Sequence, residues 1–200
     1  MGSNPSGCTT DFKTTAVYFY FMKILSEKEM LDYGRQLGTG FLTRLKNGET
    51  VVVELLGDVG AGKTTLTRGI AEGLGVSAPV TSPSFTISKR YAFLADNLEG
   101  ALIHYDFYRL PDPGLMSEEL DESLNSPNTV VILEWADSVE GILPDNRIRI
   151  EIKYLDDGGR EVITGGAKSF HAGGEHKEVA DKSGDCLGDE RKIFKATEEK

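Results

Sequence analysis

The stretch TVVVELL followed by GDVGAGKT, Thr50 to Thr64, decides how this chain folds. Its first half is a nearly unbroken apolar run, the composition of a strand buried on both faces. Its second half, Gly57 to Thr64, fits G-x-x-x-x-G-K-[ST], a loop whose successive backbone N–H groups cradle phosphate oxygens. Glycines at 57, 60 and 62 permit turns that a β-carbon forbids. After the loop, Leu66, Ile70 and Leu74 recur at helical spacing until Gly75, a residue suited to a helix C-terminus. Strand, glycine-rich loop and helix thus follow in the order an anion site needs, and the helix dipole directs about half a positive charge at it. Lys63 supplies a mobile charge for β and γ phosphates, and the Thr64 hydroxyl is placed for Mg2+. A dinucleotide fingerprint fits worse, because Thr65 stands where its third glycine belongs. A nucleoside triphosphate is the first ligand to consider.

Working outward, Ser26 and Glu29 form a capping box, and Met30, Gly34, Leu37, Phe41 and Leu45 line one face of a helix ahead of the first central strand. Downstream, Val76 to Ser84 reads as an exposed loop rich in Pro, Ser and Thr. Phe85 to Phe93 and Ala101 to Phe107 read as two strands joined by an Asp-Asn-Leu-Glu-Gly turn, a hairpin. Asp112-Pro113 opens a helix with Met116, Leu120 and Leu124 as its buried stripe, and Thr129 to Leu133 is a second apolar central strand. Arg147 to Tyr154 alternates charge with hydrophobe, then turns at Asp156 to Gly159 into Arg160 to Thr164, a half-exposed hairpin expected at a sheet edge. These elements predict an α/β fold, P-loop NTPase-like, with a mostly parallel sheet flanked by helices and an antiparallel edge hairpin. Residues 22–164 form the expected domain. Residues 1–21 read as a disordered N-terminal extension and 165–200 as a disordered polar tail.

Two hundred residues at 39% hydrophobic content suit one such domain. The longest apolar stretch near the start, Ala16 to Met22, falls far short of the roughly 20 residues a bilayer needs, so no membrane association is expected. Cys8 and Cys186 suggest neither a disulfide framework nor a metal site, and a cytoplasmic location is the simplest expectation. A net charge of −10 would repel a phosphate backbone, so any nucleic acid is expected to arrive with a partner.

Hydrolysis also needs an acid near the metal and a group that positions the attacking water. Asp106, in HYDFYRL, and Glu134, directly after TVVIL, stand at strand ends, where ligand groups of open α/β sheets gather. Glu134 fits the acid-after-apolar-strand pattern and so a Mg2+ role. Asp106 is left to orient water or serve as a second acid near the metal. The blander alternative for either is a helix-cap or surface carboxylate. The hydroxyls of Thr81 to Thr86 could order around a γ phosphate, or belong to an ordinary Pro-containing loop. His104 reads as a strand residue with a satisfied hydrogen bond, and Trp135 as a core or interface aromatic.

Taken together, GDVGAGKTTLTRGIAEGLG, TSPSFTISKRY, HYDFYRL and LEWAD resemble the bacterial threonylcarbamoyladenosine-biosynthesis ATPase family TsaE, over about Ile24 to Thr164. That resemblance implies an ATPase using ATP and Mg2+, working with TsaB-like and TsaD-like partners that modify tRNA beside the anticodon, with tRNA met only indirectly. It implies that Gly60, Ala61, Gly62, Lys63, Thr64 and Thr65 hold the phosphates, and that Thr64 with Glu134 holds Mg2+. Lys63 and Asp106 would serve hydrolysis, Trp135 would lie at the nucleotide, and Ser26 or Glu27 would approach the adenosine. Ser84 departs from the family's usual Thr, and Lys89-Arg90 puts two positive charges where acidic or neutral residues are common. Two rivals stand beside this reading: a small-molecule kinase, for which acidic Asp96 to Glu122 with only Arg109 makes a poor lid, and a nonhydrolytic nucleotide-sensing module.

Overall fold

The computed structural model describes residues 18–108, 110, 114, 116–166 and 175–177. Eight strands form one sheet: β1 (Tyr18–Ile24), β2 (Val51–Leu56), β3 (Ser88–Ala95), β4 (Leu98–Asp106), β5 (Thr129–Glu134), β6 (Ile148–Tyr154), β7 (Arg160–Gly166) and β8 (Glu175–Lys177). Their order is β3-β4-β5-β2-β6-β7-β1-β8. The middle strands β4, β5, β2 and β6 run parallel, and antiparallel pairs extend the sheet on both sides. Helices α1 (Glu27–Lys46) and α2 (Lys63–Gly73) cover one face, while α3 (Met116–Leu124) and a 3-10 helix at Ala136–Ile142 cover the other.

The alternation of side chains along β2 builds both layers at once. Val51, Val53 and Leu55 join α1 and α2 in one core, and Val52 joins Val131, Leu133 and Leu120 in the other. Glu54 falls on the second face, where Arg147 Nε and Arg149 Nε donate to its Oε2 at 2.7 and 2.9 Å. Burial pulls the Arg147 pKa down, but its bonds to Glu54 and Glu140 outweigh that and leave it raised. Such pairing is what allows a carboxylate to sit inside a sheet.

Ser26 caps α1, accepting the Glu29 N–H at 3.2 Å, and the stripe Met30, Gly34, Leu37, Phe41 and Leu45 is buried. This stripe meets α2 almost backbone to backbone. A β-carbon on Gly34 would lie 2.6 Å from the Leu66 carbonyl, and one on Gly38 2.2 Å from that of Ile70. Reciprocally, Gly69 and Gly73 face the Leu31 and Arg35 carbonyls at 2.4 and 2.3 Å. Small residues four apart on both helices permit this approach.

Three sequence expectations change. Tyr18 to Phe21, assigned to the extension, lie in β1 and pair with Ile163 to Gly166, because four consecutive aromatics favour a strand wherever a neighbour is available. Residues 165–166 likewise belong to β7, and 175–177 form β8 against β1. The remainder of both expected tails, like Asp112-Pro113, lies outside the described residues. The β6–β7 hairpin is not at an edge, since β1 and β8 continue the sheet beyond it; alternation along β6 reports which face is wet, not which strand lies alongside. The edge hairpin is β3–β4, closed by Asp96 and Asn97, both with positive φ as a two-residue primed turn requires. Its first strand starts at Ser88 rather than Phe85, because Thr86 and Ile87 donate their N–H groups to the Pro83 carbonyl and Ile87 takes φ 66°. A β-branched residue there carries strain of about 1–3 kcal/mol. Among the described residues no helix is long and apolar enough to cross a membrane.

Candidate functional site

Strand β2 ends at Leu56 and hands the chain to Gly57, whose φ of 133° begins the loop. Gly60 at 81° and Gly62 at 118° continue it, and Gly62 is the N-cap of α2. That cap makes no side-chain hydrogen bond, and no acid stands in the first turn of α2. The helix therefore begins with N–H groups that no capping side chain satisfies, the arrangement suited to an anion.

Two clefts flank the loop. The first, of about 320 Å3, is lined by Gly60, Gly62, Lys63, Thr64 and Thr65 from the loop and by Ser82, Ser84, Asp106, Glu134 and Trp135 opposite. The second, of about 410 Å3, adjoins it on the α1 side and includes Ser26, Glu27, Met30, Ala61, Arg68 and Arg160. Every site residue expected from the sequence therefore lines one of two neighbouring hollows, with Glu27 and Ala61 in the second.

Asp106 and Glu134 are register partners at the carboxyl ends of adjacent parallel strands β4 and β5. Both are buried, at 5% and 4% exposure, so neither is a surface carboxylate. Glu134 Oε1 lies 2.9 Å from His104 Nε2, and its Oε2 lies 3.9 Å from Lys63 Nζ. Lys63 Nζ also donates to the Gly57 and Asp58 carbonyls at 2.7 and 3.0 Å and sits 4.7 Å from the Trp135 ring centroid. Burial pushes the Lys63 ammonium pKa down, against the upward pull of Glu134, Asp106 and Asp58. Trp135, at φ 57°, also packs against Tyr108 with ring centroids 5.0 Å apart. Asp106 Oδ1 accepts the Tyr108 N–H at 3.1 Å, and Ser84 Oγ donates to Oδ2, with Ser82 Oγ 2.6 Å from Ser84 Oγ.

Several members of this arrangement were not legible in advance. His104 has a hydrogen bond, as expected of it, but the partner is Glu134, and its buried Nδ1 has none. Two strand ends held in register make that contact, and spacing along one chain cannot reveal register. Ser82 and Ser84, weighed as loop hydroxyls, turn onto Asp106. Arg68, which bonds Glu27 at 2.9 Å, and Arg160, which bonds the Ala61 carbonyl at 3.0 Å, had no signal beyond their position near the motif and a turn.

A parallel sheet core, a glycine-rich loop between β2 and α2, and acids at the ends of neighbouring strands define a P-loop NTPase-like α/β protein. A family profile described as "Threonylcarbamoyl adenosine biosynthesis protein TsaE" matches residues 24–162. The chain belongs to the TsaE family. It is 37% identical over 139 residues to the tRNA threonylcarbamoyladenosine biosynthesis protein TsaE of Haemophilus influenzae, covering 67% of this chain and 82% of that one. It is 43% identical over 121 residues to the protein of that name from Bacillus subtilis, covering 58% and 69%. The crystal structure of Bacillus subtilis YdiB is similar at TM-score 0.59 and 33% identity, over 75% of this chain and 86% of that one.

Proposed function

We propose that this chain is a Mg2+-dependent ATP hydrolase, slow alone, serving as an accessory subunit in forming threonylcarbamoyladenosine beside the anticodon of tRNAs that read codons beginning with A. One observation carries the reading: a glycine-rich loop with an uncapped helix N-terminus faces two buried carboxylates, Asp106 and Glu134, across a single cleft. Membership of a family whose curated relatives are named for this pathway supports the biological half.

The donor set fits Mg2+. Thr64, Glu134 and Asp106 offer only oxygen, the ligand type hard cations take. Among the described residues no group of three or more His, Cys, Asp or Glu could hold a metal ion, so phosphate and water would complete its shell. When bound, Mg-ATP supplies a terminal phosphorus open to attack by water. The amides from Gly60 to Thr65 and the Lys63 ammonium would hold the phosphate oxygens, and Thr64 Oγ1 with Glu134 would hold the metal. His104 fixes Glu134 Oε1, and the Trp135 ring covers the Lys63 charge. Asp106 orients the attacking water and takes its proton at Oδ2. Ser84 donates to that same oxygen and so competes with water for it, which would slow turnover until the Ser84 hydroxyl turns away. Glu27, in the adjoining cleft, is the candidate contact to the nucleoside.

TsaB-like and TsaD-like proteins are the proposed partners, and the net charge of −10 favours tRNA arriving through them. Phosphate release from Mg-ATP tests the chemical half. Lys63→Ala should lower it at least about 100-fold, because it removes the charge facing the phosphates; unchanged turnover would remove the site. Mixing with both partners and tRNA tests the rest, with stimulated hydrolysis expected.

A further inference from the structure

The glycine-rich loop is also held by the β6–β7 hairpin, through two side chains that do not line the smaller cleft. Tyr154, ending β6, donates its hydroxyl hydrogen to the Val59 carbonyl at 3.2 Å, and Arg160, opening β7, donates Nε–H to the Ala61 carbonyl at 3.0 Å. The two side chains support each other, with the guanidinium carbon 4.0 Å from the Tyr154 ring centroid. The same guanidinium donates to the Gly158 and Gly159 carbonyls at 2.8 and 3.0 Å, which ties it to its own turn. The fit is close: a β-carbon on Gly60 would lie 2.9 Å from Tyr154 Oη, and one on Gly57 2.4 Å from the Ile152 carbonyl.

In a planar trans peptide the C=O and the following N–H point in opposite directions. Drawing the Val59 and Ala61 carbonyls to the hairpin therefore turns the Gly60 and Gly62 N–H groups away from it, and both glycines line the smaller cleft, which Tyr154 and Arg160 do not. Converging N–H dipoles repel one another until an anion arrives, and glycine resists peptide rotation least of all residues. Alternate peptides of this loop are thus pinned where pinning matters most. We propose that Tyr154 and Arg160 are positioning residues that preset the loop amides for a polyphosphate, a role that rests on the phosphate-binding reading above. The charged donor at Ala61 contributes more than the neutral one at Val59.

Tyr154→Phe, Arg160→Met and the double variant of the full chain test this with two probes, Mg-ADP and pyrophosphate, titrated by calorimetry. Pyrophosphate has no nucleoside, so it reports on the loop apart from any contact Arg160 makes in the larger cleft. Both ligands should bind about five-fold more weakly to Tyr154→Phe and about ten-fold more weakly to Arg160→Met, with melting temperatures little changed. Arg160→Lys, which keeps a donor, should recover part of the loss. In the ligand-free proteins, amide NMR signals of Gly60 and Gly62 should shift and broaden in the respective variants, an effect that lost packing elsewhere would not produce. Wild-type affinity in Tyr154→Phe together with unmoved glycine amides overturns the proposal. A wild-type protein that binds neither probe overturns the phosphate-binding reading instead, and the role assigned to the two residues falls with it.

Discussion

Gly38→Ala should destabilise the protein although alanine is the better helix former. The new β-carbon would stand 2.2 Å from the Ile70 carbonyl oxygen and 3.1 Å from the Gly73 α-carbon. Ordinary contact requires more than about an ångström of extra separation. The carbonyl cannot step aside alone, because it accepts the Leu74 N–H at 3.0 Å within α2. The helices must part as bodies, loosening the packing of Leu37, Phe41, Leu66 and Ile70, all fully buried. Overpacking of this kind costs about 1–3 kcal/mol, and the opened interface adds to it. Helix propensity returns about 1 kcal/mol. A net loss of about 2–3 kcal/mol is expected. Gly141→Ala is the control, since nothing lies within 4 Å of its β-carbon position and its φ is not in the left-handed region; it should be neutral or gain about 0.5 kcal/mol. Equilibrium urea unfolding, followed by fluorescence of the chain's one tryptophan, measures both. A Gly38→Ala protein as stable as wild type would refute the idea that the two backbones touch.

Asp106→Asn should retain Mg-ATP affinity in calorimetry while losing hydrolysis about 100-fold or more; equal loss of both would contradict a water-orienting role. Arg147→Ala leaves buried Glu54 with Arg149 alone and should cost about 3 kcal/mol in urea unfolding, near the low end for a broken buried pair. Burial pushes the Tyr105 hydroxyl pKa up from 10.0 to about 12, with Ser123 opposing and Glu119 adding to the shift. Below pH 10 the group is protonated in both folded and unfolded chains and changes nothing; between pH 10 and about 12 only the unfolded chain ionises, so stability falls as pH rises. Tyr105→Phe should flatten that fall in an alkaline unfolding series, and an unchanged slope would show that Tyr105 does not cause it.

The parts of the fold that the chain announced are those in which local pattern and burial agree. TVVVELL, TVVIL and the α1 stripe are apolar where both faces, or one face, must be covered, and the glycines of the loop stand where the backbone turns. What stayed hidden depends on neighbours distant in sequence. The Glu134–His104 contact needs β4 and β5 in register. The Ser84–Asp106 contact needs a strained Ile87 to bring the 81–87 segment back over β4. Gly34, Gly38, Gly69 and Gly73 do carry a readable signal, a four-residue spacing on two successive helices, but the hydrophobic stripe of α1 by itself marks only Gly34 as facing the core. For β1 the aromatic run was visible, yet it becomes a strand only because β7 offers it an edge.

The glycine contact between α1 and α2 has a consequence for how the two walls of the cleft behave. Glu27 opens α1 and the glycine-rich loop leads into α2, and these helices share a seam in which an added β-carbon would clash with backbone, so this wall of the clefts is closely packed. The opposite wall, with Ser82 and Ser84, belongs to a loop rather than a helix, turned at Pro83 and Ile87 and tied by side-chain hydrogen bonds to Asp106, Lys89 and Tyr91. On the proposed function, tenacity and tempo would then fall to separate pieces of the framework, and a companion protein that leans on residues 81–87 would act as a throttle without disturbing the grip.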